Sequence, residues 1–133
     1  MADRYWGHRS ANAYAWRSVA DAGAVLAFGS DCPIEIFDPF LGLYAAVTRR
    51  TLDGRHPGGW VPRQKIRVEE ALRAYTRGSA VAGFDEGRLG ELRVGFLADL
   101  VVLGDDVLTI ASERIRSVRA DLTIVGGQVV YER

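Results

Sequence analysis

Apolar and polar positions in the N-terminal half follow a pattern that predicts a helix leading into a buried strand. Residues 10–22 place apolar side chains at helical spacing and are followed by Gly23, a residue type at which helices often end. Residues 24–28 form a continuous apolar run that stops at Gly29. Such a run is typical of a strand covered on both faces, as in the parallel sheets of α/β folds.

Two further helices are predicted after this strand. Asp38 followed by Pro39 is a typical N-cap with a first-turn proline, so a helix is predicted from there to about Arg50. Residues 68–77 carry acidic side chains in the first turn and basic ones towards the end, which favours a second helix. This helix is predicted to end at Gly78, and a short helical piece is predicted to follow over residues 79–84. Arg67 stands where a capping Ser, Thr or Asp is expected, at a cost of about 1 kcal/mol.

The C-terminal third has the composition of extended structure. Residues 89–103, 118–125 and 128–131 are rich in β-branched and other apolar side chains and are predicted as strands. Gly126 and Gly127 indicate a hairpin turn, because both central residues of the favoured turn adopt positive φ. A small antiparallel sheet of this size is expected to need a partner sheet.

Length and charge exclude several classes of protein. The 133 residues suit one ordinary domain, whereas a complete eight-stranded α/β barrel needs roughly 250. The formal net charge is zero, and the basic residues are scattered, so no nucleic-acid partner is expected. No apolar run approaches the ~20 residues that cross a bilayer. One cysteine and a start without the apolar core of a signal peptide predict a cytoplasmic protein without disulfides.

Asp31 is the principal candidate for chemistry. It lies just after the predicted strand, where α/β barrels place catalytic residues. From this stretch alone, an acid two residues before Pro33 is better interpreted as forming a turn or capping the next segment, and the resemblance described below shifts that balance. Cys32 could contact a substrate, but free cysteines are more often buried and inert. His8 and His56 lie in loop-like sequence and are expected to be surface or packing residues.

The aromatic residues suggest packing rather than a cofactor site. Trp6, Tyr14 and Trp16 are expected in the core, and no phosphate-binding glycine motif follows the predicted strand. Trp60 lies with His56 in a loop by composition, residues 51–62. Loops keep such side chains to pack or to bind, and packing is the interpretation favoured here.

Seven short segments stand in order along nearly the whole chain: residues 3–7 (DRYWG), 13–18 (AYAWRS), 26–31 (LAFGSD), 45–49 (AAVTR), 70–76 (EALRAYT), 98–103 (ADLVVL) and 123–127 (TIVGG). Each segment is weakly diagnostic alone, whereas the collinear set is specific. Together they resemble the C-terminal part of an amidohydrolase, and in particular the amidohydrolase-3 subgroup.

This resemblance implies an α/β fold with two parts. Residues 1–88 would be the terminal β/α units of a metal-bearing (β/α)8 barrel, including its last strand. Residues 89–133 would be the C-terminal half of a composite antiparallel β-sandwich. Asp31 matches the acid after the eighth strand, which in this family contacts a divalent metal, most often zinc. That acid takes a proton from the metal-bound water and later protonates the departing nitrogen.

The resemblance also indicates what this chain lacks. The family's other metal ligands, a His-x-His pair, a mid-barrel carboxylate or carboxylated lysine, and later histidines, have no counterpart here and are expected upstream. A zinc site needs three or four protein ligands. The chain is therefore interpreted as a fragment of a hydrolase acting on non-peptide carbon–nitrogen bonds of small amides, inactive and without a cofactor when isolated.

A second interpretation remains open. The chain could be a non-enzymatic, truncated module that self-associates or binds a partner. In either case the missing remainder of a barrel would leave apolar faces of residues 24–28 and of the tail strands bare, which predicts a homo-oligomer.

Overall fold

The chain has a helical N-terminal part and a small antiparallel sheet at its C-terminal end. The computed structural model describes residues 2–133. The α-helices are α1 (Ala2–Trp6), α2 (Trp16–Asp21), α3 (Pro39–Thr48), α4 (Val68–Arg73) and α5 (Ser79–Ala82). A π-helical turn (Ala74–Gly78) joins α4 to α5, and 3-10 turns lie at Gly7–Asn12, Pro62–Gln64 and Ser112–Ser117. The strands are β1 (Leu100–Leu103), β2 (Ala120–Val125) and β3 (Gln128–Glu132).

The helix predicted over residues 10–22 is interrupted, so this prediction was correct only for its second half. Tyr14 has a φ of 49°, in the left-handed region, which separates the first 3-10 turn from α2. The Tyr14 carbonyl accepts a hydrogen bond at 3.1 Å from the Arg49 guanidinium. A long-range contact of this kind is invisible to local periodicity.

The strand predicted at residues 24–28 is not formed in the described chain, although the segment is extended. Two backbone bonds join it to helical residues: the Ala24 N–H donates to the Val19 carbonyl of α2 at 3.3 Å, and the Phe28 N–H donates to the Ala74 carbonyl at 3.1 Å. Leu26 and Phe28 are half-buried while Val25 is exposed, so one face is covered and the other is bare. A strand needs a neighbouring strand for its ladder, and among residues 2–133 none lies beside this segment.

Helix α3 confirms the predicted N-cap. Asp38 Oδ1 accepts a hydrogen bond from the Phe40 N–H at 2.9 Å, and Pro39 occupies the first turn. The helix ends at Arg49, which has a φ of 58° and donates its N–H to the Ala45 carbonyl at 2.8 Å. This left-handed cap turns the chain into the loop that follows.

Helical structure runs without a break over residues 68–82, and α5 confirms the short helical piece predicted after Gly78. The predicted end of the helix at Gly78 was wrong, because Gly78 serves close packing instead of termination. A Cβ there would collide with the Leu26 carbonyl oxygen. The missing cap at Arg67 is also partly replaced, since the Glu70 carboxylate accepts the Arg67 N–H at 2.8 Å.

The sheet has the order β1-β2-β3, and both pairings are antiparallel. The predicted hairpin is confirmed, with φ values of 57° at Gly126 and 81° at Gly127. The strand predicted from residue 89 starts only at Leu100. Residues 89–99 form turns instead, in which Gly90 and Gly95 adopt positive φ and so prevent a regular ladder.

One core joins the helices to the C-terminal part. It contains Leu43, Tyr44 and Ala46 from α3 together with Ala71 from α4 and the fully buried Ile115. Ile115 lies in the last 3-10 turn, which packs on α3. In the part of the chain that the structure describes, no helix is both long and apolar enough to cross a bilayer.

Candidate functional site

Asp31 lies at the end of the extended segment, residues 24–30, and starts a surface turn. Its φ is 58°, and its carbonyl accepts the N–H groups of Ile34 and Glu35 at 2.8 and 3.3 Å. The side chain is exposed, and its carboxylate has no hydrogen bond or ion pair with any residue between 2 and 133. The backbone of Asp31 thus forms the turn, while the carboxylate remains available.

Phe28 fixes the extended segment three residues before Asp31. Its ring packs against Trp16 and Tyr75, with both centroid distances at 5.5 Å. Its carbonyl accepts a hydrogen bond from Ser79 Oγ at 2.7 Å. The segment is therefore held from one side by α2 and from the other by the helical run of residues 68–82.

The described chain does not by itself make a metal site. Within residues 2–133, no three side chains of the His, Cys, Asp and Glu types come together in a way that could hold an ion. His8 and His56 are both exposed and are not brought to Asp31. The residues present therefore do not fit a divalent ion, because a lone carboxylate is too few ligands for one.

The neighbours of Asp31 are more exposed than predicted. Cys32 is exposed, so the expectation that its thiol is buried was wrong. The reason is that residues 31–37 form a surface loop in which Ile34 and Phe37 are also exposed, both at 77%. Apolar character in this loop does not produce burial because no other described element covers it.

A cleft lined by aromatic side chains, here called the aromatic cleft, lies beside the start of α2 and the end of α3. It has a volume of about 360 Å³. Aromatic side chains form much of its wall: Tyr14 packs edge-on against Trp16 and Trp60, with centroid distances of 6.2 and 5.9 Å. Its other lining residues include Asp3, Arg49, Arg50, Arg55 and His56.

Arg49 is the central residue of the aromatic cleft. It is only 6% exposed, and its guanidinium carbon lies 4.5 Å from the Trp16 ring centroid and 5.3 Å from that of Trp60. Its Nε donates to the Trp60 carbonyl at 3.0 Å, and its two Nη atoms donate to the Tyr14 and Ala13 carbonyls at 3.1 and 3.4 Å. Burial lowers the pKa of Arg49, because desolvation disfavours the cation.

The N-terminal helix closes one side of the cleft. Trp60 Nε1 donates a hydrogen bond to Asp3 Oδ1 at 2.8 Å. This bond lowers the pKa of Asp3 below its usual value, since it stabilises the carboxylate.

Several aromatic predictions are corrected by this arrangement. Trp6 and Tyr14 were expected in the core but are 46% and 59% exposed, and only Trp16 is half-buried. Trp60 packs against Tyr14, as the favoured interpretation held. Arg49 was missed, because an arginine at a helix end carries no local sequence signal for contacts with residues more than ten positions away.

Comparison with known proteins identifies the class. The sequence model of the amidohydrolase family matches residues 1–131, nearly the whole chain. The chain belongs to the amidohydrolase family.

Three relatives illustrate this membership. The amidohydrolase-type protein YtcJ of Bacillus subtilis (strain 168) is 34% identical over 98% of this chain and 25% of its own length. The N-substituted formamide deformylase of Arthrobacter pascens is 32% identical over 88% of this chain and 21% of its own length. A solved structure of an uncharacterized metal-dependent hydrolase from Pyrococcus furiosus is 36% identical and superposes with a TM-score of 0.63, over 77% of this chain and 20% of that one.

These matches bear out the resemblance to metal-dependent amidohydrolases. The chain spans about a quarter or less of the length of each of these relatives.

Proposed function

We propose that this chain is the C-terminal part of a metal-dependent hydrolase that cleaves carbon–nitrogen bonds other than peptide bonds in small amides. The observation that carries the proposal is the family match over residues 1–131. The relatives add support: one is named a deformylase of N-substituted formamides, and another is a metal-dependent hydrolase. Residues 24–28 would be the last barrel strand, and the C-terminal sheet would be part of a sandwich.

The proposed catalytic residue is Asp31. Its carboxylate is exposed and has no hydrogen-bond partner within residues 2–133, so it can accept a proton from a water that attacks the amide carbon. The same carboxyl group would then return that proton to the departing nitrogen. Phe28 supports this role, because its packing fixes the direction in which the chain reaches Asp31.

The proposed site is completed by residues outside this chain. A divalent metal, most often zinc in such enzymes, would polarise the amide and water in the complete site. Asp31 would supply one carboxylate ligand, and at least two further ligands are needed. The isolated chain is therefore proposed to bind no stoichiometric metal and to have no hydrolase activity.

A non-enzymatic module is the second candidate, and exposed apolar side chains favour it. Val25 is 65% exposed on the bare face of the extended segment, and Phe84 is 91% exposed. A module of this kind would use those surfaces to bind a partner. It differs from the first proposal in assigning no chemical role to Asp31.

Metal analysis of the purified 133-residue chain tests the claim that its site is incomplete. After incubation with zinc and dialysis, we expect less than about 0.1 zinc ion per chain, because one carboxylate does not retain zinc. The same sample should not hydrolyse N-formyl or N-acetyl amines above the rate of buffer. One zinc per chain, lost in the Asp31→Asn variant and kept in Glu35→Gln, would contradict this claim.

A further inference from the structure

The aromatic cleft contains a buried positive charge without a counter-ion. Arg49 lies within salt-bridge distance of no carboxylate among residues 2–133, and its three acceptors are all neutral carbonyl oxygens. The other two arginines of the cleft are paired: Arg50 lies 2.7 Å from Glu113, and Arg55 lies 2.6 Å from Asp53. The acid that lines the cleft, Asp3, accepts its hydrogen bond from Trp60 Nε1 and forms no ion pair with Arg49. Buried charges are normally paired, so the unpaired Arg49 requires an explanation.

Hydrogen-bonding capacity in the cleft is also not exhausted. A guanidinium has five N–H donors, and the three bonds of Arg49 leave two of them uncommitted. Nε of Arg50 is likewise buried and has no hydrogen-bond partner in the described chain. Donors left without acceptors around a buried guanidinium favour an anion that accepts two hydrogen bonds at once.

The rest of the wall selects for a flat, apolar group. Trp16, Trp60 and Tyr14 present ring faces and edges around Arg49, and such surfaces attract aromatic ligands in offset or edge-on arrangements. A volume of about 360 Å³ is at the small end of the range for ligand sites, enough for one ring with a short substituent.

We propose that the aromatic cleft binds a small aromatic carboxylate, with its ring against the Trp16, Trp60 and Tyr14 side chains and its carboxylate at Arg49. The site is separate from the proposed hydrolase chemistry, because it does not include Asp31 and needs no metal. Its test is therefore independent of the proposed function. A bound carboxylate would supply the missing counter-ion and occupy the free donors.

Isothermal titration calorimetry of the full 133-residue chain with phenylacetate tests the proposal. We expect a Kd of roughly 0.1 to 1 mM, as suits a ligand of this size. Phenylacetamide has nearly the same shape without the charge and should bind roughly tenfold or more weakly, because a charge-assisted bond is lost. Acetate has the charge without the ring and should also bind weakly. Added NaCl should weaken phenylacetate binding.

Variants locate the binding site. Arg49→Gln should weaken phenylacetate binding roughly tenfold or more, while Arg49→Lys keeps the charge and should lose less. Trp60→Ala should weaken phenylacetate and phenylacetamide alike, because it removes part of the ring wall. Arg93→Gln is the matched control: Arg93 is exposed, lies outside the cleft and contacts Phe96. Circular dichroism establishes that each variant is folded.

The results divide clearly. Binding that prefers phenylacetate over phenylacetamide and is lost in the Arg49→Gln or Trp60→Ala variant supports the proposal. If the Arg49 variants do not fold, two measurements still test the proposal: the preference of the wild-type chain for phenylacetate over phenylacetamide, and the loss of binding in Trp60→Ala. No binding up to about 10 mM phenylacetate, equal binding of the two ligands, or binding unchanged in Trp60→Ala would overturn it.

Discussion

The Glu70 side chain links α4 to α2 and to the residue that precedes α4. Its carboxylate accepts two hydrogen bonds from Arg17 of α2, both at 2.9 Å, and one from the Arg67 N–H at 2.8 Å. The hydrogen bonds with Arg17 are the main cause that lowers the pKa of Glu70 to about 2. The ion pair therefore stabilises the folded state above the usual pKa of a glutamate.

Removing the Glu70 charge tests this role. Glu70→Gln should lower the free energy of unfolding by about 1 kcal/mol at pH 7, because a partly buried bidentate pair is lost. The folded-state pKa is depressed, so the wild-type advantage should decline as the pH falls from about 4.5 towards 2. Urea unfolding measures the difference in free energy of unfolding between the wild type and the variant at pH 7 and at pH 3. Glu69→Gln on the exposed face should leave the free energy of unfolding unchanged at both pH values. An equal loss of stability in Glu69→Gln would refute the role of the Glu70–Arg17 ion pair.

Residue-level chemistry was predictable where it is local. Asp38 was identified as an N-cap because its bond spans only two residues, and Asp31 was singled out by its place after an apolar run. Arg49 was not, since its acceptors at Ala13 and Tyr14 lie more than thirty positions away. Its role depends on tertiary contacts that no spacing rule encodes.

Helices and strands show the same division between local and long-range causes. Helix α3 and the Gly126–Gly127 hairpin follow from capping and turn chemistry, and both agree with the sequence prediction. Residues 24–28 have the composition of a strand but no neighbouring strand within the described chain. A strand is a property of two segments, so composition alone could not establish it.

The start of α3 offers a direct measurement of capping. Asp38→Ala should lower the free energy of unfolding by about 1 kcal/mol, because the Phe40 N–H loses its acceptor. Asp38→Asn keeps a capping oxygen and should retain most of the stability. Asp38 also lies 3.8 Å from Arg119, an exposed pair that contributes little. A loss in Asp38→Asn as large as in Asp38→Ala would show that charge, and not capping, is responsible.

For the chain as a whole, the main physical feature is apolar surface that the described residues leave uncovered. Val25 is 65% exposed on the extended segment, and the edge strand β3 exposes Val129 and Val130 at 57% and 60%. Bare apolar faces and sheet edges promote association. The same surfaces fit a chain that spans a quarter or less of its relatives' length.

Self-association is therefore the expected behaviour of the isolated chain. Size-exclusion chromatography with light scattering should give a mass of at least twice the 14.6 kDa of one chain. Val25→Asp should shift the mass towards the monomer, because it places a charge on the bare face. Arg93→Gln, a substitution at an exposed residue, is the control and should leave the mass unchanged. A single monomeric species at all concentrations would show that these surfaces do not drive association.

The central proposal is that Asp31 is the carboxylate that transfers the proton in an amidohydrolase site, and that other parts of the enzyme complete this site. The most direct measurement replaces the matching region of the Arthrobacter pascens deformylase with this chain and follows hydrolysis of an N-substituted formamide. We expect activity that falls by roughly a hundredfold or more in Asp31→Asn and stays within about threefold in Glu35→Gln. A folded hybrid that is inactive, or one in which Asp31→Asn retains the full rate, would contradict the account.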